Sequence, residues 1–293
     1  MATDSATDML WSMTRPGWNP SRRNRNIGTA KSGHGQNNRL VIPARWSDDR
    51  VFWEKLRDPI AIERSVGGRD VIVLVEPVIK GFTHCCTPAD VLAMLELLAA
   101  EDLGDLRLFV LRQPKRKEAT LSSVWGRLAY FAQLGSLSGP AVYLEAQKLG
   151  RVLHRRRSMS LDAQREFDRL IADGHHAERV PSGYRIQLTL DACRNTQLYR
   201  TLLHEIGHQV DYLVSVDRPR DALPSGHDDE WDALGDRYWQ KSTAEKETFA
   251  HRYADELAAR LRRTGAIPFD RTADLNGLQD QGIDPAWFEH QPD

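Results

Sequence analysis

The sequence predicts an α+β fold in which a mixed or mostly antiparallel sheet precedes a helical C-terminal part. Two observations lead to this prediction. Short runs rich in Val, Ile and Leu, typical of strands, dominate the first part of the region that we expect to be ordered. Segments with apolar residues three or four positions apart, typical of amphipathic helices, dominate the last part. Strands followed by runs of helices are characteristic of α+β domains.

Residues 1–45 are expected to form a flexible tail, and residues 46–293 a single folded domain with a helical C-terminal part. The stretch "RPGWNPSRRNRNIGTAKSGHGQNNR" is rich in Gly, Asn, Arg and Ser and has no apolar period. Order is expected to begin near Trp46. The remaining chain is long enough to bury one large core.

Composition limits the classes of partner and compartment. Lys and Arg total 40 against 41 Asp and Glu, a net charge of −1 that does not favour nucleic acid or an anionic membrane. No apolar run has the length of a membrane span, and the N-terminus carries acids where a signal peptide carries bases. Three Cys indicate reduced thiols rather than a disulfide framework. We therefore expect a cytoplasmic protein, with non-classical export as an alternative.

Four apolar runs predict the strands. Each is rich in Val, Ile, Leu or Tyr, and the last alternates between apolar and polar residues. The runs are "DVIVLVEPV" (70–78), "LRLFVLR" (106–112), "GPAVYLEA" (139–146) and "YRIQLTL" (184–190). The basic stretch "QPKRKEATLSSVWG" (113–126) is predicted to form a turn-rich connection.

Capping residues predict two helices between these strands. In "TPADVLAMLELLAA", Thr87 is a suitable N-cap, Pro88 suits the first helical position, and Asp90 completes a capping box. In "SLDAQREFDRLIADG", Ser160 is the predicted N-cap and Gly174 the stop.

Two longer helices are predicted near the C-terminus. The first runs from about Asn195 to Val216, with apolar residues at helical spacing. The second is "AEKETFAHRYADELAARLRR" (244–263), which ends before Gly265 and Pro268. The stretch "RPRDALPSGHDDE" (218–230) is predicted to be the loop between them.

The motif "HEIGH" in the first of these helices predicts a metal site. Residues four apart share a helix face, so His204 and His208 can direct two imidazoles at one point. Zn²⁺ takes such ligands at about 2.0–2.1 Å in a tetrahedral arrangement. Glu205 is offset by about 100° from His204, so it is placed to reach a metal-bound water rather than the metal. Gly207 costs the helix about 1 kcal/mol, which suggests that another segment packs closely there.

A catalytic zinc site needs a third protein ligand and one open position. The downstream candidates are Glu245, Glu247, His251, Asp255 and Glu256. Glu247 and His251 share a helix face, so Glu247 as ligand with His251 orienting a ligand is a coherent arrangement. No third His follows His208 at the metzincin spacing, which favours a carboxylate.

These motifs resemble those of the gluzincin-type zinc metallopeptidases, in which the third ligand is a Glu on a later helix. The pattern "E-x-x-A-x-x-Y-A-x-E-L", Glu247 to Leu257, is similar to that of the ImmA/IrrE-type peptidases. "HEIGHQVDY" with "E-x-F-A" also resembles the catalytic domain of anthrax lethal factor. The resemblance implies a zincin-like metalloprotease domain whose mixed sheet packs on the HExxH helix, and a protein or peptide substrate.

The resemblance also implies residue roles. The zinc ligands would be His204, His208 and Glu247, and Glu205 would act as general base, passing a proton from water to the leaving amine. The oxyanion donor is expected among Tyr238, His251 and Tyr253. Tyr238, nine residues before Glu247, lies roughly where lethal-factor-like enzymes carry such a Tyr.

Two alternatives to a cytoplasmic peptidase stay open. One is a zincin-fold binding or regulatory protein that has lost turnover. The other is a secreted effector or toxin protease with the same chemistry. The presence of Glu205 favours an enzyme, because a purely structural metal site needs the two His but not the base.

Overall fold

A computed structural model describes residues 50–115, 118, 124–224, 226–272 and 275–290. The predicted tail, residues 1–45, lies outside these residues, and a compact unit begins at residue 50. None of the helices within the described ranges combines the length and the apolar composition that a membrane span requires.

The structure is α+β, as predicted, and its main sheet is mixed. Five strands lie in the order β1-β2-β3-β5-β4. The central strands β2, β3 and β5 are parallel, whereas β1 and β4 lie at the edges and are antiparallel to their neighbours. The strands are β1 (Ile60–Val66), β2 (Arg69–Val75), β3 (Leu108–Arg112), β4 (Gly126–Leu134) and β5 (Leu137–Glu145).

A second, smaller sheet lies between β5 and the helical part in sequence. It has three antiparallel strands in the order β6-β8-β7. They are β6 (Val152–Arg156), β7 (Ala177–Val180) and β8 (Gly183–Gln187).

The four predicted strands are present as β2, β3, β5 and β8. The sequence analysis missed β1 and β4 at the edges of the main sheet, and β6 and β7. Strands β1, β6 and β7 interleave charged with apolar residues and so lack an apolar run, whereas β4 contains the run "LAYFA", which the sequence analysis did not assign.

The helices confirm most of the predicted elements. They are α1 (Pro88–Glu96), α2 (Ala100–Leu103), α3 (Leu161–Ala172), α4 (Leu190–Thr196), α5 (Leu202–Tyr212), α6 (Arg218–Asp221), α7 (Asp228–Gln240), α8 (Thr243–Arg263), α9 (Leu275–Asp280) and a 3₁₀ turn (Pro285–Phe288).

The predicted caps are also present. Thr87 and Asp90 form a reciprocal capping box at the start of α1, and Ser160 accepts a hydrogen bond from the backbone of Ala163 at the start of α3. The predicted helix 195–216 is longer than expected, because Thr189 caps it and it continues through π-helical turns at Gln197–Thr201 and Leu213–Asp217.

The predicted loop 218–230 is wrong in part. It contains α6 and the first residues of α7. Pro219 indicated a loop, but it lies in α6, which directly continues the π-helical turn Leu213–Asp217.

The main core lies between one face of the five-stranded sheet and helices α1, α5 and α8. Alternate residues of β2, such as Val73 and Val75, face this core, while Ile72 and Leu74 face the opposite side of the sheet. On the helical side, Leu203 and Ile206 of α5 join Leu257 of α8 in the same core. Two of the core helices therefore carry the two predicted motifs.

Gly207 is the point of closest approach between α5 and α8. A Cβ atom at this position would lie 2.9 Å from both Cα and the carbonyl oxygen of Ala250, and 3.2 Å from the ring of Tyr253. The closest contacts are with backbone, which cannot move aside as a flexible side chain can. The close packing that the glycine suggested in the sequence is thus confirmed.

We expect Gly207→Ala to lower the free energy of unfolding by about 1–3 kcal/mol, because the methyl group forces the two helices apart. Gly235→Ala in α7 is the matched control, since a Cβ there meets nothing within 4 Å. It should be neutral or stabilise by up to about 1 kcal/mol through helix propensity. Urea unfolding monitored by circular dichroism measures both values; equal effects in the two variants would contradict the close-packing account.

A buried histidine links the segment before α1 to the C-terminal 3₁₀ turn. His84 is 1% exposed, its Nε2 donates to the carbonyl oxygen of Glu76 at 2.7 Å, and its backbone N–H donates to Trp287. Burial lowers the pKa of His84 to about 4. The neutral imidazole is therefore the form that the fold requires.

This histidine should make the fold less stable in acid. In the unfolded chain a His protonates near pH 6.5, so the stabilisation is complete above that pH and is lost as pH falls toward 4. Between pH 7 and pH 5 the loss should be about 2 kcal/mol. Urea unfolding at both pH values should show this loss in the wild type and a smaller loss in His84→Gln. His176→Gln, at an exposed site, should behave like the wild type; an unchanged pH dependence in His84→Gln would refute the assignment.

Candidate metal centre

The two motif histidines lie on one face of α5 and point at a common partner. Their rings are 4.7 Å apart between centroids and nearly perpendicular. Nε2 of His204 lies 3.3 Å from Oε2 of Glu247, and Nε2 of His208 lies 3.5 Å from Oε1 of the same carboxylate. The structure thus brings together His204, His208 and Glu247, the three residues that the resemblance implied.

The start of α8 fixes the position of Glu247. Ser242 and Glu245 form a capping box there, and Nζ of Lys241 donates to Oδ1 of Asp211 at 2.8 Å and to Ser215 at 2.8 Å. Asp211 is 3% exposed, so this ion pair joins the residue just before the N-cap of α8 to the buried end of α5. Glu247 follows one turn later and faces the imidazoles.

The other candidate ligands lie elsewhere. The carboxylate of Glu245 accepts from the backbone N–H of Ser242 at 2.8 Å, as the cap requires. Asp255 and Glu256 are exposed further along α8. Among the residues that the structure describes, only His204, His208 and Glu247 form a group whose ligand atoms all lie within 4.8 Å of one another.

The distances within this group suit a tetrahedral ion better than a hydrogen bond. Two ligand atoms that each lie about 2.0–2.1 Å from a tetrahedral ion are roughly 3.3 Å apart. The two observed separations, 3.3 and 3.5 Å, are close to this value. A charge-assisted hydrogen bond would instead be about 2.7–2.9 Å long. Two imidazoles with one carboxylate are also a donor set typical of catalytic zinc.

The carboxylate of Glu247 is in the form that binds metal. The adjacent imidazoles of His204 and His208 hold the pKa of Glu247 well below its ordinary value, so its carboxylate is ionised. Nδ1 of His204 is buried and has no hydrogen-bond partner within the described part of the chain. The ring of His251, 4.3 Å away, packs against this imidazole.

Glu205 lies between the metal centre and the sheet. The side chain is 9% exposed, and burial raises its pKa, while His204, His208 and a backbone hydrogen bond from Leu128 lower it. Leu128 belongs to the edge strand β4. The carboxylate is therefore close to the imidazoles and to β4, and it is not one of the three grouped ligand residues.

His251 lies beside the site, as its spacing from Glu247 predicted. Its Nε2 is 3.9 Å from Oε2 of Glu247 and 3.4 Å from Nη1 of Arg169. Burial, followed by the charges of His204 and Arg169, lowers the pKa of His251 to about 4. The neutral ring can accept from Arg169 through Nε2, which leaves its Nδ1–H as donor.

The two predicted tyrosines lie in different environments. The Tyr253 hydroxyl donates to Oδ2 of Asp102 at 2.7 Å and ties α8 to α2. Tyr238 is 1% exposed, and its hydroxyl lies 2.7 Å from that of Tyr130. The Tyr130 hydroxyl in turn lies 3.5 Å from the carbonyl oxygen of His208.

Sequence reasoning missed Tyr130, Leu128 and Arg169 as neighbours of this site. The first two belong to the unpredicted edge strand β4, and Arg169 belongs to α3, far from the motifs in sequence. The aromatic "AYF" within β4 was the available signal, but only the sheet order places it beside α5.

In comparisons with models of protein families, with curated proteins and with solved structures, no match to this chain is found.

We expect Glu247→Ala to abolish stoichiometric zinc binding, because two imidazoles alone leave the ion with too few protein ligands. The matched control is Glu256→Gln, an exposed carboxylate on the same helix, which should bind zinc like the wild type. Isothermal titration calorimetry with ZnCl₂ measures both affinities. Wild-type affinity in the Glu247→Ala protein would show that the third ligand is elsewhere.

Proposed function

We propose that this protein is a zinc-dependent metallopeptidase of the gluzincin type that hydrolyses peptide bonds in a protein or peptide substrate. The observation that supports this most strongly is the convergence of His204, His208 and Glu247, with the carboxylate of Glu205 beside them. In a purely structural zinc site a fourth protein ligand closes the coordination shell. Three grouped ligand residues leave one position for water and substrate.

The residues of this chain would divide the work between binding and proton transfer. Zn²⁺, when bound, lowers the pKa of a coordinated water to about 7 and polarises the substrate carbonyl. Glu205 would accept the proton that the attacking water loses and deliver it to the leaving amine. Its low exposure keeps bulk water from competing for that proton.

The edge strand β4 offers a place for the substrate. In the part of the chain that the structure describes, β4 pairs on one side, with β5, and its other side is a sheet edge. An extended peptide can add to such an edge through backbone hydrogen bonds. Because Leu128 of β4 is next to Glu205, a peptide bound there would pass the general base.

The proposed fold family is the zincin family. Its support is the mixed sheet with an antiparallel edge strand, packed against the helix that carries the HExxH motif. We also propose a cytoplasmic location, because Cys85, Cys86 and Cys193 are all free and buried, as expected for a reducing compartment.

We expect Glu205→Gln to lower the rate of peptide cleavage by about 10²–10⁴-fold while zinc binding persists, because the amide cannot accept the proton. A proteome-derived peptide library, read by mass spectrometry, supplies the substrates, and zinc content is measured on the same samples. Glu256→Gln should cleave like the wild type. Full activity in zinc-loaded Glu205→Gln would refute the role of Glu205 as general base. Zinc binding without cleavage by the wild type would favour the alternative of a binding or regulatory protein that has lost turnover.

A further inference from the structure

The aromatic residues beside the metal centre form a cluster with an internal hydrogen bond. The cluster consists of Tyr130, Phe131, Tyr212, Tyr238 and Trp239, contributed by β4, α5 and α7. Its single hydroxyl–hydroxyl contact is the 2.7 Å hydrogen bond between Tyr130 and Tyr238. The two hydroxyls are therefore linked. The one that lies nearer to the metal centre is the one that can contact a substrate.

Tyr238 is the inner member of this pair. Its side chain is 1% exposed, and its ring is covered by the Nζ atoms of Lys241 and Lys246 at 5.0 and 4.7 Å. Burial and the hydrogen bond to Tyr130 raise its pKa far above the ordinary value. The Tyr130 hydroxyl also contacts the carbonyl oxygen of His208, which can only accept, so both contacts are satisfied when Tyr238 donates a hydrogen bond to Tyr130.

Tyr130 is the outer member. It is half-buried, and a β-bulge between Ala129 and Ala132 interrupts the strand at this residue. Bulges at sheet edges redirect side chains and are common next to active sites. The Tyr130 hydroxyl contacts the backbone carbonyl of His208, whereas the contact of the Tyr238 hydroxyl is with Tyr130. Tyr130 is thus the member of the pair that adjoins the helix of the ligand histidines.

The hydroxyl hydrogen of Tyr130 is available for a substrate. With Tyr238 donating to its oxygen, Tyr130 can donate its own hydrogen, and its acceptor in this structure is the carbonyl oxygen of His208 at 3.5 Å. Hydroxyl hydrogen bonds of full strength are about 2.5–3.0 Å long, so this contact is weak. A developing negative charge nearby would be a better acceptor.

We propose that the Tyr130 hydroxyl is the oxyanion donor of this site and that Tyr238 is a positioning residue that acts through it. The inference rests on the proposed peptidase function and departs from the role that sequence resemblance gave to Tyr238. When water adds to the peptide carbonyl, the π electron pair moves onto the carbonyl oxygen. Tyr130 donates a hydrogen bond to that oxygen, and no proton leaves the phenol.

Kinetics of three Tyr→Phe variants test this order. The substrate is a quenched fluorescent peptide built from the cleavage site that the wild type prefers in the peptide library. Tyr130→Phe should lower kcat about 100-fold and leave KM nearly unchanged, because the lost contact exists mainly in the transition state. Tyr238→Phe should lower kcat about tenfold, through poorer orientation of Tyr130. Tyr212→Phe, which removes another hydroxyl of the cluster, should match the wild type.

The double variant distinguishes a relay from two independent donors. If Tyr238 acts through Tyr130, then Tyr130→Phe/Tyr238→Phe should be no slower than Tyr130→Phe alone. Two results would overturn the proposal and favour direct donation by another residue. One is a loss of kcat in the double variant equal to the product of the two single losses; the other is a kcat of Tyr130→Phe close to that of the wild type. If the Tyr130→Phe protein loses its zinc or its stability, the Tyr238→Phe variant provides the test. A kcat of Tyr238→Phe equal to that of the wild type would then overturn the proposal.

Ligand binding provides a readout that needs no turnover. Acetohydroxamate bound to the zinc-loaded protein presents an oxygen to the oxyanion donor, so Tyr130→Phe should weaken its affinity about tenfold in calorimetry. Tyr212→Phe should leave the affinity unchanged, and equal affinities in Tyr130→Phe and the wild type would contradict the assignment. Failure of this inference is separable from failure of the peptidase proposal, because in the former case Glu205→Gln still lowers the rate of cleavage by about 10²–10⁴-fold.

Discussion

The close approach of helices α5 and α8 at Gly207 is the constraint on which the candidate metal centre depends. The backbone of Ala250 occupies the space of the missing Cβ, so the two helices lie closer than larger residues would allow. Glu247 precedes Ala250 by less than one helical turn, and His204 and His208 flank Gly207 in sequence. A site built from two rigid helices holds its ligands more accurately than one built from loops. Here the absence of a side chain at Gly207 sets the distance between α5 and α8.

Polar contacts at the edges of this packing complete the arrangement. The buried Asp211 pairs with Lys241 where α8 begins, and Tyr253 pairs with Asp102 further along the same helix. These contacts fix both the start of α8 and its contact with α2. The carboxylate of Glu205 accepts a hydrogen bond from the backbone of Leu128 in the edge strand of the main sheet. Both α8 and β4 therefore contribute contacts to the centre.

Much of the metal centre could be predicted from local sequence, because its spacing is helical. The pair His204 and His208 and the shared face of Glu247 and His251 follow from a period of 3.6 residues, and the close packing at Gly207 follows from the cost of glycine within a helix. The caps at Thr87 and Ser160 were predicted for the same reason: each depends on residues within one turn. Spacing alone left Glu245 and Glu247 both open; the resemblance implied Glu247, and the structure places Glu245 in a cap.

The sheet edge and the aromatic cluster could not be predicted in this way. Strand β4 carries a bulge that breaks its two-residue alternation, so its apolar run "LAYFA" does not show which side chains face the site. Tyr130 meets Tyr238 across 108 positions of sequence, a contact that only the sheet order creates.

The central claim is that one ion is held by two imidazoles from α5 and one carboxylate from α8. Crystals of the zinc-loaded protein, measured on both sides of the zinc absorption edge, test it most directly. The account predicts an anomalous peak about 2.0–2.2 Å from Nε2 of His204, Nε2 of His208 and the carboxylate of Glu247. A zinc peak elsewhere, or one that Glu247 does not touch, would contradict it.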